Sequence, residues 1–230
     1  VKGVLQQYAV ADAKYLTVVP EGVSSEVAAP LLCAGLSMAG SVGRLAPDLQ
    51  KGDWLVLPGA GGGLGHLGLQ IASRVKGLRV IAVDTGDERK ELCLKLGAEA
   101  FVDFATQDVE AEVKNLTDGE GAHGIIVVPG SEAAYTLAPK LVRNRGVIVC
   151  VGLPKAGFNI PITPLECANR GLVIKGSSTG NEREMEELFQ WAKEGKVLPI
   201  VETRGWEESG EVLHMLRRDE VKGRIVVKIS

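Results

Sequence analysis

From residue 54 onward, short apolar runs alternate with amphipathic segments. The runs at 54–58, 79–83, 100–102, 124–128, 146–151 and 172–175 are bounded by turn residues and predict six strands. Five of the six show no clean apolar/polar alternation, the pattern of strands buried on both faces, as in a parallel sheet covered by helices. A helix is predicted from Gly62 to about Val75, another opening at Asp87 and stopping at Gly97, and a third from a Ser131 cap to Leu141. Asn181 with Glu184 three residues later reads as a capping box. Met185, Leu188, Phe189 and Ala192 then fall on one face before Gly195 stops the helix. A last helix at 207–217 precedes a terminal strand at 224–229. This alternation predicts a doubly wound α/β sheet with the strand count of a dinucleotide-binding fold.

The first 50 residues do not share the rhythm. Residues 4–9 and 16–19 read as strands and 25–43 as a helical segment rich in small residues, too few pieces to close a domain. At 230 residues the chain has room for about one and a half domains.

Charge and composition then narrow the classes. A net charge of −3 with dispersed basic residues excludes a nucleic-acid footprint. Cys33, Cys93, Cys150 and Cys167 show neither a disulfide framework nor a zinc-ribbon spacing, and a reducing, cytoplasmic setting is expected. Residues 54–73 carry no Asp, Glu, Lys or Arg, but Pro58 and six glycines within them break the continuous helix a membrane span needs. No signal sequence opens the chain, which begins at Val1 instead of Met. With 29 glycines among 230 residues, against roughly 7 % in ordinary chains, glycine must have a local role.

That role falls first at Gly59-Ala60-Gly61-Gly62-Gly63-Leu64-Gly65, where a strand runs into a helix. A helix start presents unpaired N–H groups and the positive end of its dipole, and glycines let a pyrophosphate approach the backbone. The strict G-x-G-x-x-G pattern is not met, and a close-packed turn would use the same residues. Asp84 closes the next predicted strand 19 residues beyond Gly65, where a carboxylate accepts from ribose hydroxyls and repels a 2′-phosphate. This favours NAD over NADP, and the neighbouring Arg89 pulls the other way. No GK[ST] follows, which excludes a triphosphate P-loop. In an open α/β sheet the ligand lies beyond the carboxyl ends of the strands, so Pro129-Gly130, Val151 to Pro154 and Ser177 to Thr179 are nominated as the rest of the cleft.

Together with Gln6-Gln7-Tyr8-Ala9, Leu32-Cys33-Ala34-Gly35, Asp103-Phe104, Gly121-Ala122-His123-Gly124, Val151-Gly152-Leu153-Pro154, Gly180-Asn181 and Gly223-Arg224, these motifs make the chain resemble the medium-chain, zinc-dependent alcohol dehydrogenases of the yeast and fungal ethanol-oxidising type. The resemblance implies a six-stranded parallel Rossmann sheet with a partial GroES-like catalytic domain. It divides the chain into a catalytic-domain remnant at 1–45, a dinucleotide-binding domain at 46–180 and a return to the catalytic domain at 181–230. It also implies a homodimer through the edge strand near Leu172 to Gly176. Family cofactor contacts would fall on Gly62, Gly63, Leu64, Asp84, Arg89 (a Lys in the relatives), Phe104, Val151, Leu153, Ser177, Thr179 and Arg224.

The catalytic half that supplies the other zinc ligands and the proton relay has no counterpart in these residues. Only Cys33 matches a catalytic-zinc ligand, and a catalytic zinc takes three. Zinc is therefore not expected in this chain alone, Cys33 would be a ligand only if further sequence supplied the others, and no catalytic residue can be named. Otherwise Cys33 reads as an isolated buried thiol, Cys93, Cys150 and Cys167 as small buried apolar residues, and His66, His123 and His214 as structural or surface histidines. Pro129 stands where yeast relatives carry a serine.

The resulting expectation is an NAD-binding oxidoreductase acting on a small alcohol or carbonyl compound, without nucleic-acid or membrane partners. One alternative keeps the fold without redox chemistry, as an isomerase, a cyclase or a non-catalytic cofactor binder. A remote one is a serine hydrolase, since Gly176-Ser177-Ser178-Thr179-Gly180 matches a nucleophile elbow, with only His214 downstream.

Overall fold

The computed structural model describes residues 6–218 and 220–229. Six parallel strands form the central sheet: β1 (Trp54–Pro58), β2 (Arg79–Asp84), β3 (Ala100–Asp103), β4 (Ala122–Val127), β5 (Val142–Cys150) and β6 (Val173–Gly176), in the order β3-β2-β1-β4-β5-β6. The absence of polar alternation has its cause in β1, where Leu55 and Leu57 enter one apolar cluster while Trp54 and Val56 enter another across the sheet. Both faces are dry, so both must be apolar. Strand order reverses between β1 and β4, and a crevice opens there at the carboxyl ends.

One face is covered by α1 (Ser25–Pro30), a π turn at Leu31–Gly35, α2 (Leu36–Gly43), α3 (Gly65–Gln70), a second π turn at Ile71–Val75, and α4 (Asp87–Leu96). α8 (Glu182–Lys193) joins them through Met185, Leu188, Phe189 and Ala192, opened by the expected capping box of Asn181 and Glu184. The other face carries α5 (Val109–Leu116), α6 (Glu132–Leu141) and α7 (Pro164–Arg170). α9 (Ser209–Arg217) follows a short 3-10 turn, and β7 (Val201–Gly205) pairs in parallel with β8 (Arg224–Lys228) as a separate ribbon.

The helical stretch Ser25–Gly43 is long and apolar enough to cross a membrane by length and composition, but more than half of it is buried. Pro30 lacks the N–H that would continue the helical ladder, and the chain widens into the π turn directly after it. The stretch packs closely on α3: a Cβ on Gly68 would stand 2.3 Å from Met38 Cε.

Of the two expected N-terminal strands, Val4 and Leu5 lie outside the described residues; residues 6–9 and 16–19 are exposed and form no strand, with a 3-10 turn at Ala13–Tyr15 between them. Extended propensity becomes a strand only against a partner edge, and residues 6–9 and 16–19 join no sheet among the described residues. The chain's two ends do meet further in, where Lys228 of β8 pairs with Glu26 of α1 at 2.8 Å and holds its carboxyl down to about 2.

Candidate cofactor-binding site

The glycine loop leaves β1 at the strand-order reversal and is shaped by close backbone approach. Gly59 has φ +70°, and a Cβ on Gly65 would stand 2.0 Å from Gly59 O, so α3 can begin this near the strand only with glycine at that position. His66, one residue later, is fully buried, with Nδ1 2.8 Å from Gly62 O and Nε2 3.1 Å from Ile200 N. A backbone N–H can only donate and a carbonyl only accept. The ring is therefore neutral, with its proton on Nδ1, and burial holds its pKa below the ordinary histidine value. It ties the glycine loop to the segment leading into β7.

Asp84, at the end of β2, is buried. One carboxylate oxygen accepts from Gly61 N at 2.8 Å; the other accepts from Thr85 N at 2.9 Å and from the Arg89 guanidinium at 2.8 Å. Asp84 thus fixes the glycine loop and presents a charge-compensated carboxylate beside it.

Asp84 and the glycine loop together line a groove of about 710 Å³. Gly62, Gly63, Leu64, Asp84, Arg89, Phe104 and Arg224, seven of the predicted contacts, line it. So do residues the sequence did not nominate: Val109 of α5, Leu137 and Leu141 of α6, and Leu216 and Val221 from the C-terminal segment. The C-terminal wall is held to the first turn of α4 by an ion pair of Lys222 with Glu88. Gly63 packs against this wall, its Cβ position 3.0 Å from Gly223 O and 3.2 Å from an Arg224 guanidinium nitrogen. The half-buried Arg224 makes no ion pair among the described residues, and the N–H groups of Gly63 and Leu64 meet no protein acceptor among them. Three unpartnered donors thus converge on one end of the groove, an arrangement that fits a phosphate.

Val151, Leu153 and Ser177 line a second cavity of about 590 Å³ at the ends of β5 and β6. Thr179 is exposed in the same strand-end turn as Ser177. The Tyr135 hydroxyl donates to Gly152 O at 2.6 Å beneath this cavity, and burial pushes its pKa up to about 12, so it remains a donor at neutral pH. Pro129 lines the groove, and its ring limits the space above Gly59 to 3.1 Å.

Cys33 stands apart from both cavities, in the π turn, and is exposed, not buried as its surroundings predict. In that turn Leu31, Ala34 and Gly35 take the buried positions, and Cys33 falls with exposed Leu32 on the outer side. Cys93 is buried, its thiol pushed up to about 12 mainly by desolvation; Cys150 and Cys167 are half-buried. Among the described residues no three His, Cys, Asp or Glu side chains converge to hold a metal ion. Cys33 and its surroundings therefore do not make a zinc site by themselves. His123, in β4 and not in the turn before it, accepts from Trp54 N at 3.1 Å and faces Asp53 at 3.1 Å, a structural clasp between β1 and β4. His214 is exposed on α9, and Ser178 bonds to no histidine among the described residues, so the hydrolase constellation is not assembled.

The model of the family described as zinc-binding dehydrogenase matches residues 63–194, from the glycine loop through α8. The chain belongs to this zinc-binding dehydrogenase family. It is 37 % identical over 233 residues to alcohol dehydrogenase 1 of Neurospora crassa, covering 100 % of this chain and 65 % of the relative. With alcohol dehydrogenase 2 of Emericella nidulans it shares 39 % over 242 residues, covering 99 % and 64 %. Among solved structures, the alcohol dehydrogenase of the hyperthermophilic archaeon Aeropyrum pernix superposes with a TM-score of 0.83 at 31 % identity, over 91 % of this chain and 60 % of that one. An NAD-dependent alcohol dehydrogenase superposes with a TM-score of 0.88 at 26 % identity, over 99 % and 66 %. The chain thus spans about 65 % of the length of the curated relatives it matches.

Proposed function

We propose that this zinc-binding dehydrogenase family member binds NAD in the groove lined by the glycine loop and Asp84, and is the cofactor-binding part of an alcohol dehydrogenase-like oxidoreductase. The observation that carries this reading is that opposite chemistries line one groove. Arg224 and the N–H groups of Gly63 and Leu64 lack protein partners among the described residues and suit a pyrophosphate. Asp84 suits ribose hydroxyls, and Val109, Leu137 and Leu141 supply apolar walls. Arg89, bonded to Asp84, lowers the local negative charge and softens the discrimination against a 2′-phosphate.

The nicotinamide end would then reach the turns at the ends of β5 and β6, where Val151, Leu153, Ser177 and Thr179 lie. Bound NAD supplies hydride acceptance. The contribution of this chain is to hold the dinucleotide and orient its reactive end, through Tyr135 beneath the Val151 turn and through the β6 turn itself. Zinc chemistry would require ligands besides Cys33, and no step is assigned to it. The divisions at residues 45 and 180 and a homodimer are part of the same reading. β6 is the outer strand of the sheet with Ile174 exposed, which supports pairing at that edge.

A fluorescence titration with NADH tests the reading. Saturable binding displaced by ADP-ribose is expected; lack of NADH and NADPH binding would overturn it.

A further inference from the structure

The strand-end turn that carries Ser177 and Thr179 is built against α2. A Cβ on Gly40 would lie 2.7 Å from Thr179 O and 2.8 Å from Gly180 Cα, so α2 reaches the turn only because position 40 has no side chain. That approach brings Ser41 Oγ to 3.1 Å from Ser177 Oγ, and both serines are buried. Ser41 Oγ also lies 2.6 Å from Ser37 O, a group that can only accept. A hydroxyl has one proton to give. Ser41 gives its own to Ser37 O, and so must accept that of Ser177. The Ser177 N–H is meanwhile given to Cys150 O at 2.9 Å. The turn is pinned on one side by the strand ladder and on the other by a helix-borne acceptor, with both Ser177 donors committed away from the cleft.

Resting on the cofactor reading above, we propose that Ser41 is a positioning residue for the nicotinamide end of the cleft: by accepting the Ser177 proton it fixes the β6 turn, leaving Ser177 to face a bound cofactor as an acceptor only. Ser177 lines the second cavity and Ser41 lines neither cavity, so the effect of Ser41 is transmitted through Ser177. Removing its hydroxyl leaves Ser177 free to rotate and the turn free to shift at that end alone. The pyrophosphate and adenosine ends, held by the glycine loop, Arg224 and Asp84, keep their geometry.

The test compares two probes on the 230-residue chain, NADH and ADP-ribose, which lacks the nicotinamide. For Ser41→Ala, NADH binding should weaken about 3- to 10-fold, the range for loss of one buried hydrogen bond, while ADP-ribose affinity stays within about twofold. Ser177→Ala should show the same split with a loss at least as large, and the double variant should lose no more than Ser177→Ala alone. If Ser41→Ala does not fold, Ser41→Cys, which keeps the volume but offers only a weak acceptor, carries the same test with the two probes. Equal losses for both probes, no loss for either, or additive losses in the double variant would overturn the positioning role. If the unmodified chain bound neither probe, the cofactor reading itself would fail and take this proposal with it.

Discussion

Asp84 and Arg89 meet at 2.8 Å at the rim of the groove, with the carboxylate buried and the guanidinium three-quarters covered. The carboxylate also accepts from Gly61 N, so the pair links the charge state of the rim to the shape of the glycine loop. Asp84→Ala should therefore weaken NADH binding at least about tenfold. It should also cost about 2–4 kcal/mol of stability, because Arg89 and the Gly61 and Thr85 N–H groups lose their partner. Arg89→Ala should act differently: it exposes the full charge of Asp84 and should shift the NADH-to-NADPH affinity ratio toward NADH. An unchanged ratio, measured by titration with both cofactors, would show that Arg89 does not reach the 2′ position.

Arg224 supplies the second charge. Arg224→Ala should weaken NADH and ADP-ribose alike, by about 10- to 100-fold, since both carry the pyrophosphate and a charge-assisted hydrogen bond is worth about 1.5–3 kcal/mol. Its loss should also flatten the salt dependence of binding. Equal salt dependence in variant and parent would place the pyrophosphate elsewhere.

Much of this site is legible in the sequence because its parts are local. A glycine loop after an apolar run, an acid at the next strand's end and strand-end turns of small residues need no knowledge of tertiary contacts. The walls contributed by Leu216 and Val221 are not legible, since they depend on the C-terminal segment folding back over the loop. α5 is hidden for another reason. Its Asp108 cap and the spacing of Val109, Val113 and Leu116 are present, but charged residues dominate the stretch around them. The β7 strand exposes Glu202 and Thr203 and gives no apolar run to read. At the N-terminus the error runs the other way, with strand-like residues 6–9 and 16–19 that join no sheet among the described residues.

The neutral His66 makes a pH prediction with a definite sign. Its native pKa lies below 6.5, the value it regains on unfolding, so below that pH the unfolded chain binds a proton more readily than the folded one. Its contribution to stability is complete above about pH 6.5 and falls as the pH drops below it. His123, also lowered mainly by burial, adds in the same direction. Urea unfolding between pH 7.5 and 5.5 should show stability falling, and His66→Gln should reduce the slope. A slope unchanged by that substitution would assign the loss to other groups.

Two glycines should respond oppositely to alanine. Gly65→Ala drives a Cβ into the Gly59 carbonyl and should cost at least about 2 kcal/mol as the loop is displaced. Gly210, exposed in the first turn of α9 with open space where a Cβ would stand, should gain about 0.5–1 kcal/mol on the same change. Thermal unfolding of the two variants checks both signs.

The most direct measurement is equilibrium titration of the unmodified chain with NADH, followed by its emission and by competition with ADP-ribose. A groove lined by phosphate donors and by Asp84 predicts saturation at one NADH per chain, in the micromolar range, fully reversed by ADP-ribose. NADH emission that stays unsaturated to millimolar concentration, or saturation that ADP-ribose does not reverse, would contradict it.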